Sequence, residues 1–100
     1  MDLLLKYQFD WDQKKAKVNK RKHNISFNRA TSVFRDPYMI SIFDDEHSES
    51  EDRWITLGTD ENGILLVISH TFQKSSSAKF NIRIISARKA TKIEISQYEE

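Results

Sequence analysis

Asn62-Gly63 lies between two β-prone runs, Arg53–Gly58 and Ile64–Phe72, and this arrangement constrains the fold more than any other feature of the chain. Asn and Gly both tolerate the positive φ of a tight hairpin turn. The run before it mixes polar and apolar residues, as a half-buried strand does, while Ile64-Leu65-Leu66-Val67-Ile68 is unbroken apolar sequence expected of a central strand. Tyr38–Phe43 and Phe80–Ile85 read as two more strands, and Leu3–Phe9 as a short one at the start. Asp12 is a good N-cap for a helix over Gln13–His23, and Asn24 can end it in the left-handed conformation. Ser26 caps a second helix with Phe27, Ala30, Val33 and Phe34 as its buried stripe, and Asp36-Pro37 stops it. Ser86 is expected to cap a last helix from Ala87 to about Gln97, with Ala90 and Ile93 facing inward. Asp44–Asp52 is an acidic loop and Gln73–Lys79 a polar one. The expected class is α+β: an N-terminal strand, two helices, a four-stranded antiparallel meander and a C-terminal helix, with the helices on one face.

One hundred residues support one domain with one modest core. With no cysteine there is neither a disulfide framework nor a thiolate metal site, so a reducing compartment is expected. The opening Met1–Tyr7 is too short in apolar residues for a signal sequence or a membrane span, which points to a cytoplasmic domain. The formal net charge of +1 conceals segregation. Residues 1–36 carry nine Lys/Arg against four Asp/Glu, residues 37–61 one against eight, and residues 62–100 six against three. Basic flanks attract polyphosphate or an acidic protein, in competition with the plain reading that they are solvated faces.

The chain lacks a phosphate-cradling glycine loop, a Gly-flanked nucleophilic serine and a paired-histidine zinc motif. Asp44-Asp45-Glu46-His47 has neither the spaced oxygens nor the glycine of a calcium loop, so no metal is expected there. What remains is histidine and arginine. His70 ends an apolar strand beside Ser69 and Thr71, where a histidine serves either structure or proton transfer. Arg53, Arg83 and Arg88 have the fork that matches phosphate, and Arg88, placed at an expected helix start, suggests an anion there. These side chains suit metal-independent RNA cleavage, in which the 2′-hydroxyl attacks its own phosphate. Such a site must move two protons and stabilise a charged phosphorane.

Phe9-Asp10-Trp11-Asp12, Lys15-Ala16, Asn19, Lys22-His23 and Ile25-Ser26-Phe27 closely resemble the opening of the BrnT family of bacterial toxins. The likeness continues through Val33–Pro37, Glu46-His47-Ser48-Glu49, Arg53-Trp54, Leu57-Gly58 and His70-Thr71, and closes with Ile82–Thr91 and Tyr98-Glu99-Glu100. Departures are small: Asn24 and Ser50 stand where glycine is common, and the Gln73–Lys79 loop is longer than usual. The resemblance implies a ribonuclease toxin of a type II toxin–antitoxin pair with a RelE-like fold. It implies neutralisation by a BrnA-like ribbon-helix-helix antitoxin, family expectation being a 2:2 complex, with operator DNA bound only through the antitoxin. On this footing His70 is the expected proton-transfer residue, and Arg53, Arg83 and Arg88 the phosphate or transition-state contacts. Lys15, Asn19, Lys22 and His23 would hold RNA, and no cofactor is called for. The competing reading is a toxin-like module that binds RNA or antitoxin without catalysis.

Overall fold

The computed structural model describes residues 6–100. Strand β1 (Lys6–Trp11) leads into helix α1 (Gln13–His23), helix α2 (Phe27–Thr31) and a 3-10 turn (Ser32–Arg35). Then come β2 (Ile40–Phe43), a second 3-10 turn (Asp45–His47), β3 (Arg53–Thr59), β4 (Leu65–Thr71), β5 (Gln73–Lys74), β6 (Lys79–Lys89) and α3 (Lys92–Tyr98). The sheet order is β1-β6-β4-β3-β2. β1 runs parallel to β6, whereas β2, β3, β4 and β6 are joined antiparallel, so the sheet is mixed. β5 continues the line of β4 along β6. Of the expected first strand, Leu3–Leu5 lie outside the described residues.

Local chemistry places most of these boundaries. The Asp12 carboxylate accepts from the Lys14 and Lys15 amides, and Asn24 ends α1 at φ 59°. Ser26 accepts from the Arg29 amide, and at Asp36 the backbone turns extended before Pro37. In the β3–β4 turn, Gly63 takes φ 77° while the Asp60 side chain accepts from the Asn62 and Ile64 amides. Gly58 lets the 3-10 turn rest on β3, since an added Cβ would lie 2.9 Å from Val33 Cγ1.

One sheet face is covered by α1, α2 and the 3-10 turn. Leu66, Ile68, Ile82, Ile84 and Ala87 meet Ile25, Phe27, Ala30, Val33 and Phe34 there, all buried. Burying side chains of this size contributes about 1.5–3 kcal/mol each. Tyr7, Phe9 and Trp11, alternate residues of β1, pack against the same core.

The C-terminal third departs from the expectation. Ser86 caps nothing: Ser86–Lys89 belong to β6, and the cap is Thr91, which forms a reciprocal capping box with Glu94. Extended pairing with β4 carries the chain to Lys89 (Ser69 faces Ser86 and Leu66 faces Lys89), and this tertiary pairing overrides the local cap signal. Arg88 therefore lies in a strand and not at a helix N-terminus. Ile93 points outward, at 73% exposure. Gln73 and Lys74, expected as loop, pair with Phe80 and Asn81. The second helix is shorter than expected, its last turn tightening to 3-10. α3 packs against β3, and the Tyr98 hydroxyl donates to Asp36, which also accepts from the Thr59 amide and hydroxyl. Burial pushes the Asp36 carboxyl up, but hydrogen bonds from Tyr98, Thr59 and Tyr38 outweigh it and hold the group below its ordinary value.

β6 outruns its neighbour. β1 stops at Trp11, opposite Ile84, and leaves the outer edge of β6 without a strand beyond that point. There the Asn19 carboxamide takes the place of a strand. Its Nδ2 donates to the Ala87 carbonyl at 2.9 Å and the Ile25 carbonyl at 3.0 Å, while its Oδ1 accepts from the Ala87 amide at 3.1 Å. Asn19→Leu strands all three buried backbone groups and is expected to cost about 2–4 kcal/mol. Urea unfolding would register this as a lower midpoint at unchanged slope, against a change below about 0.5 kcal/mol for the exposed Lys22→Ala.

Candidate functional site

Because side chains alternate along a strand, the face turned away from α1 and α2 is set by the same residues that fix the core. Ile82 and Ile84 point in, so Asn81 and Arg83 point out, as their exposure confirms. Register then places residues side by side across strands. Arg53 faces Thr71, the Arg83 amide donates to Thr71 Oγ1 at 3.2 Å, and Arg83 faces Asp10. Arg53, Thr71, Arg83 and Asp10 form one transverse row over β3, β4, β6 and β1, with about 4.8 Å per strand step. The adjacent row is Gln73, Asn81 and Gln8.

Glu51 stands over the arginine end of this row. Its carboxylate takes a two-pronged hydrogen bond from Arg83 Nη2, and Arg53 Nη2 lies 3.8 Å away. Arg83 is 45% exposed and Glu51 31%, so this pairing is hydrated and weak enough for a phosphate to displace. The Arg53 Nε is buried and has no hydrogen-bond partner among the described residues. On the other side of Arg53, a hollow of about 250 Å³ is shared with Glu46, His47 and Glu49. His47 is 63% exposed, and its Nδ1 is bonded to the Asp44 carboxylate at 2.9 Å, which leaves Nε2 free to face solvent.

Arg88 shares this face further along β6, but Glu94 grips its guanidinium through two hydrogen bonds of 2.8 and 2.9 Å. That bond to Arg88 holds the Glu94 carboxyl at about 2 and raises the guanidinium in turn. Arg88 is thus a clamp for α3. This places α3 on the face opposite α1 and α2, so the helices do not all share one face.

His70 belongs to the covered face, opposite Ile84, and is 1% exposed. Its Nδ1 donates to the Thr71 carbonyl at 2.8 Å, so Nε2 is the acceptor, taking the Thr56 hydroxyl proton at 2.6 Å. Thr56 Oγ1 then accepts from the Ser41 hydroxyl at 2.7 Å. Phe34 meets the ring edge-on, with centroids 4.9 Å apart. Burial pushes the imidazole below its ordinary value, partly opposed by the bond to Thr71. His70 thus lies on the covered face, away from the arginines, with both ring nitrogens hydrogen-bonded and at the wall of a hollow of about 180 Å³ that Tyr7, Met39, Ser41, Trp54 and Phe72 also line. Asn19, used up on Ala87 and Ile25, is likewise engaged in the interior.

The remaining cations gather on α1. Lys15, Lys22 and His23 line a groove of about 320 Å³ with Lys14 and the backbone of β6 at Ile85 and Ser86. No residue of the first turn of α1 is acidic, and Lys20, Arg21, Lys22 and His23 occupy its last turn. The sequence singled out Arg53 and Arg83, and its acids at Glu49–Asp52 are natural ion-pair partners for Arg53, as Glu51 is; it did not place His47 and Asp10 beside them. Asp10 was legible through strand alternation; Glu51 and His47 lie in an irregular loop whose path no periodicity reports. Among the described residues no group of three or more His, Cys, Asp or Glu could hold a metal, and no helix is long and apolar enough to cross a membrane.

A mixed sheet buried on one side by α1 and α2, with Arg53 and Arg83 on the other, defines a small α+β protein that carries cationic side chains on its open face and along α1. The family model described as the ribonuclease toxin BrnT of type II toxin–antitoxin systems matches residues 11–94, and the chain belongs to that family. Membership implies an antitoxin partner. The 1.1 Å crystal structure of the Brucella abortus ribonuclease toxin BrnT is similar in fold, with a TM-score of 0.56 at 17% identity over 87% of this chain and 99% of that one. No curated protein sequence matches the chain.

Unfolding binds a proton that the native His70 refuses, so its contribution to stability is complete above about pH 6.5 and is lost as pH falls below that value. Stability from urea melts is expected to drop on acidification below pH 6.5, with a slope from this group of at most about 1.4 kcal/mol per pH unit. His70→Gln, though less stable throughout, should lack that slope.

Proposed function

We propose that this chain is a metal-independent endoribonuclease toxin whose active site is the open sheet face between His47 and Arg83. The carrying observation is the convergence of Arg53 and Arg83 on one carboxylate, Glu51, a position that a scissile phosphate can take. His47, oriented by Asp44, takes the 2′-hydroxyl proton as the 2′-oxygen attacks phosphorus. Arg53 and Arg83 stabilise the phosphorane charge, and the buried Nε of Arg53 has a donor to spare. The bond from phosphorus to the 5′-oxygen breaks and that oxygen takes a proton from solvent, leaving a 2′,3′-cyclic phosphate and a 5′-hydroxyl. Lys15, Lys22 and His23 on α1 hold the backbone of the same strand. Arg88, gripped by Glu94, keeps α3 in place instead of touching the phosphate.

In this reading the architecture is of the RelE kind and the toxin acts on RNA in the cytoplasm. A BrnA-like ribbon-helix-helix antitoxin neutralises it in a 2:2 complex, and operator DNA is met only through that partner. The second reading, a non-catalytic module that binds RNA or antitoxin, draws on the same ion pair: Glu51 already satisfies Arg83.

Purified protein incubated with labelled single-stranded RNA separates the two. Cleavage in excess chelator with cyclic-phosphate ends is expected, reduced about 100-fold or more by His47→Ala, Arg53→Ala or Arg83→Ala at unchanged melting temperature. Binding without cleavage would favour the module. Lys15→Ala with Lys22→Ala is expected to weaken RNA binding several-fold and to flatten its logarithmic salt dependence by roughly 1.4, two contacts at about 0.7 each for a single strand.

A further inference from the structure

Next to Arg83 the open face sinks into a pocket of about 320 Å³, formed by the two transverse rows already described together with Phe9 of β1. Thr71, Arg83 and Asp10 make one wall, and Gln73, Asn81 and Gln8 the other. Its chemistry differs from the rest of the basic surface. Three carboxamides, each with a donor and an acceptor edge, surround it, and a carboxylate stands at its far end. Among the described residues Asp10 makes no ion pair: its register neighbour Arg83 is turned to Glu51.

The lining decides what can enter. A second phosphate is disfavoured by Asp10, and an apolar ligand by four polar side chains that would lose water without replacement. A planar heterocycle with several donors and acceptors satisfies them. A carboxylate only accepts, so it prefers a ligand edge that presents two donors side by side. Guanine has that edge, N1–H beside its 2-amino group. Adenine and cytosine place a ring acceptor beside their single exocyclic donor, and uracil places its one N–H between two carbonyls. Single-stranded RNA is read in this way, through the exposed base edges of unstacked nucleotides.

We propose that this pocket is a guanine-selective subsite that seats the base adjoining the phosphate held at Arg83, with Asp10 as the specificity-determining residue. The inference rests on the open face being the RNA-cleaving site. Asp10 takes guanine N1–H and the 2-amino group, while the carboxamides of Asn81, Gln8 and Gln73 serve the O6 and N7 edge.

The test uses short single-stranded RNAs, differing at one position, with the full chain and with Asp10→Asn. Asp10 is exposed and outside the core, so the variant should fold, as a melt would show. With wild type, cleavage beside guanosine is expected at least about tenfold faster than beside adenosine, cytidine or uridine. Inosine, which lacks only the 2-amino group, should fall between. With Asp10→Asn the guanosine advantage should collapse and guanosine and inosine become equivalent. The same RNAs are also tested for equilibrium binding by anisotropy, so that the two ideas fail separately. If no RNA is cut but guanosine-dependent binding disappears in Asp10→Asn, the nuclease reading fails and the base pocket stands. Cleavage indifferent to the base, or a guanosine preference that survives Asp10→Asn, overturns the pocket, as does binding with no base preference in a protein that does not cut.

Discussion

A single side-chain amide closes the gap in the sheet beside the second half of β6. Where β1 ends, β6 continues with a bare edge, and Asn19 supplies the donor and acceptor that a neighbouring strand would have given Ala87. The same amide holds the Ile25 carbonyl, so the turn between α1 and α2 is fixed to the sheet by that contact. Few apolar contacts could do this instead, because Ala16 and Val18 are the only apolar residues of α1 and Val18 is 55% exposed. The helix can therefore carry cations on nearly every outward position and still be located. Its charge is compatible with folding because its attachment is polar and buried, where solvent and salt do not weaken it.

The two faces of the sheet divide the work between stability and chemistry. On the covered face, polar residues are chained together: Ser41, Thr56, His70 and the Thr71 carbonyl satisfy one another in series. On the open face the polar groups stay hydrated or share partners, which leaves them available to a ligand. Thr71 takes part in both, its carbonyl accepting from His70 and its hydroxyl from the Arg83 amide. A residue type thus says little about role until its face is known, and His70 and His47 illustrate this.

Much of this was legible in the sequence. Asp12, Ser26, Asn24 and Pro37 mark their boundaries through local geometry, and Asn62-Gly63 places the hairpin. The α+β class, the core stripe of α2 and the outward side of Arg83 follow from periodicity. What was misplaced depends on partners distant in the chain. Ser86 has the chemistry of a cap, but pairing with β4 keeps it extended. His70 and Asn19 are polar residues whose hydrogen bonds reach across 14 and 68 positions, a separation that no local pattern reports. The acidic loop concealed the place of His47, and the bridging of Arg53 and Arg83 by Glu51, because irregular backbone has no period to read.

One irregularity in β6 connects these observations. His70 faces Ile84 but Ser69 faces Ser86, so Ile85 is an extra residue, a bulge. The bulge shifts the parity of everything that follows it. Were Ile85 paired as an ordinary strand residue, strict alternation would turn Arg88 toward the core and Ala87 toward solvent, and α3 would lose its clamp. The strand's information is therefore held in its length as much as in its side chains. Position 85 can vary in identity with modest effect, and deleting it would leave Ile84 followed by Ser86 in plain alternation, with Ala87 still inward and Arg88 still outward. Deleting a paired residue of the same strand, by contrast, inverts the inside and outside of those after it. Lineages carrying this fold should accumulate substitutions there, tolerate loss of that one residue, and avoid single-residue indels elsewhere in the strand.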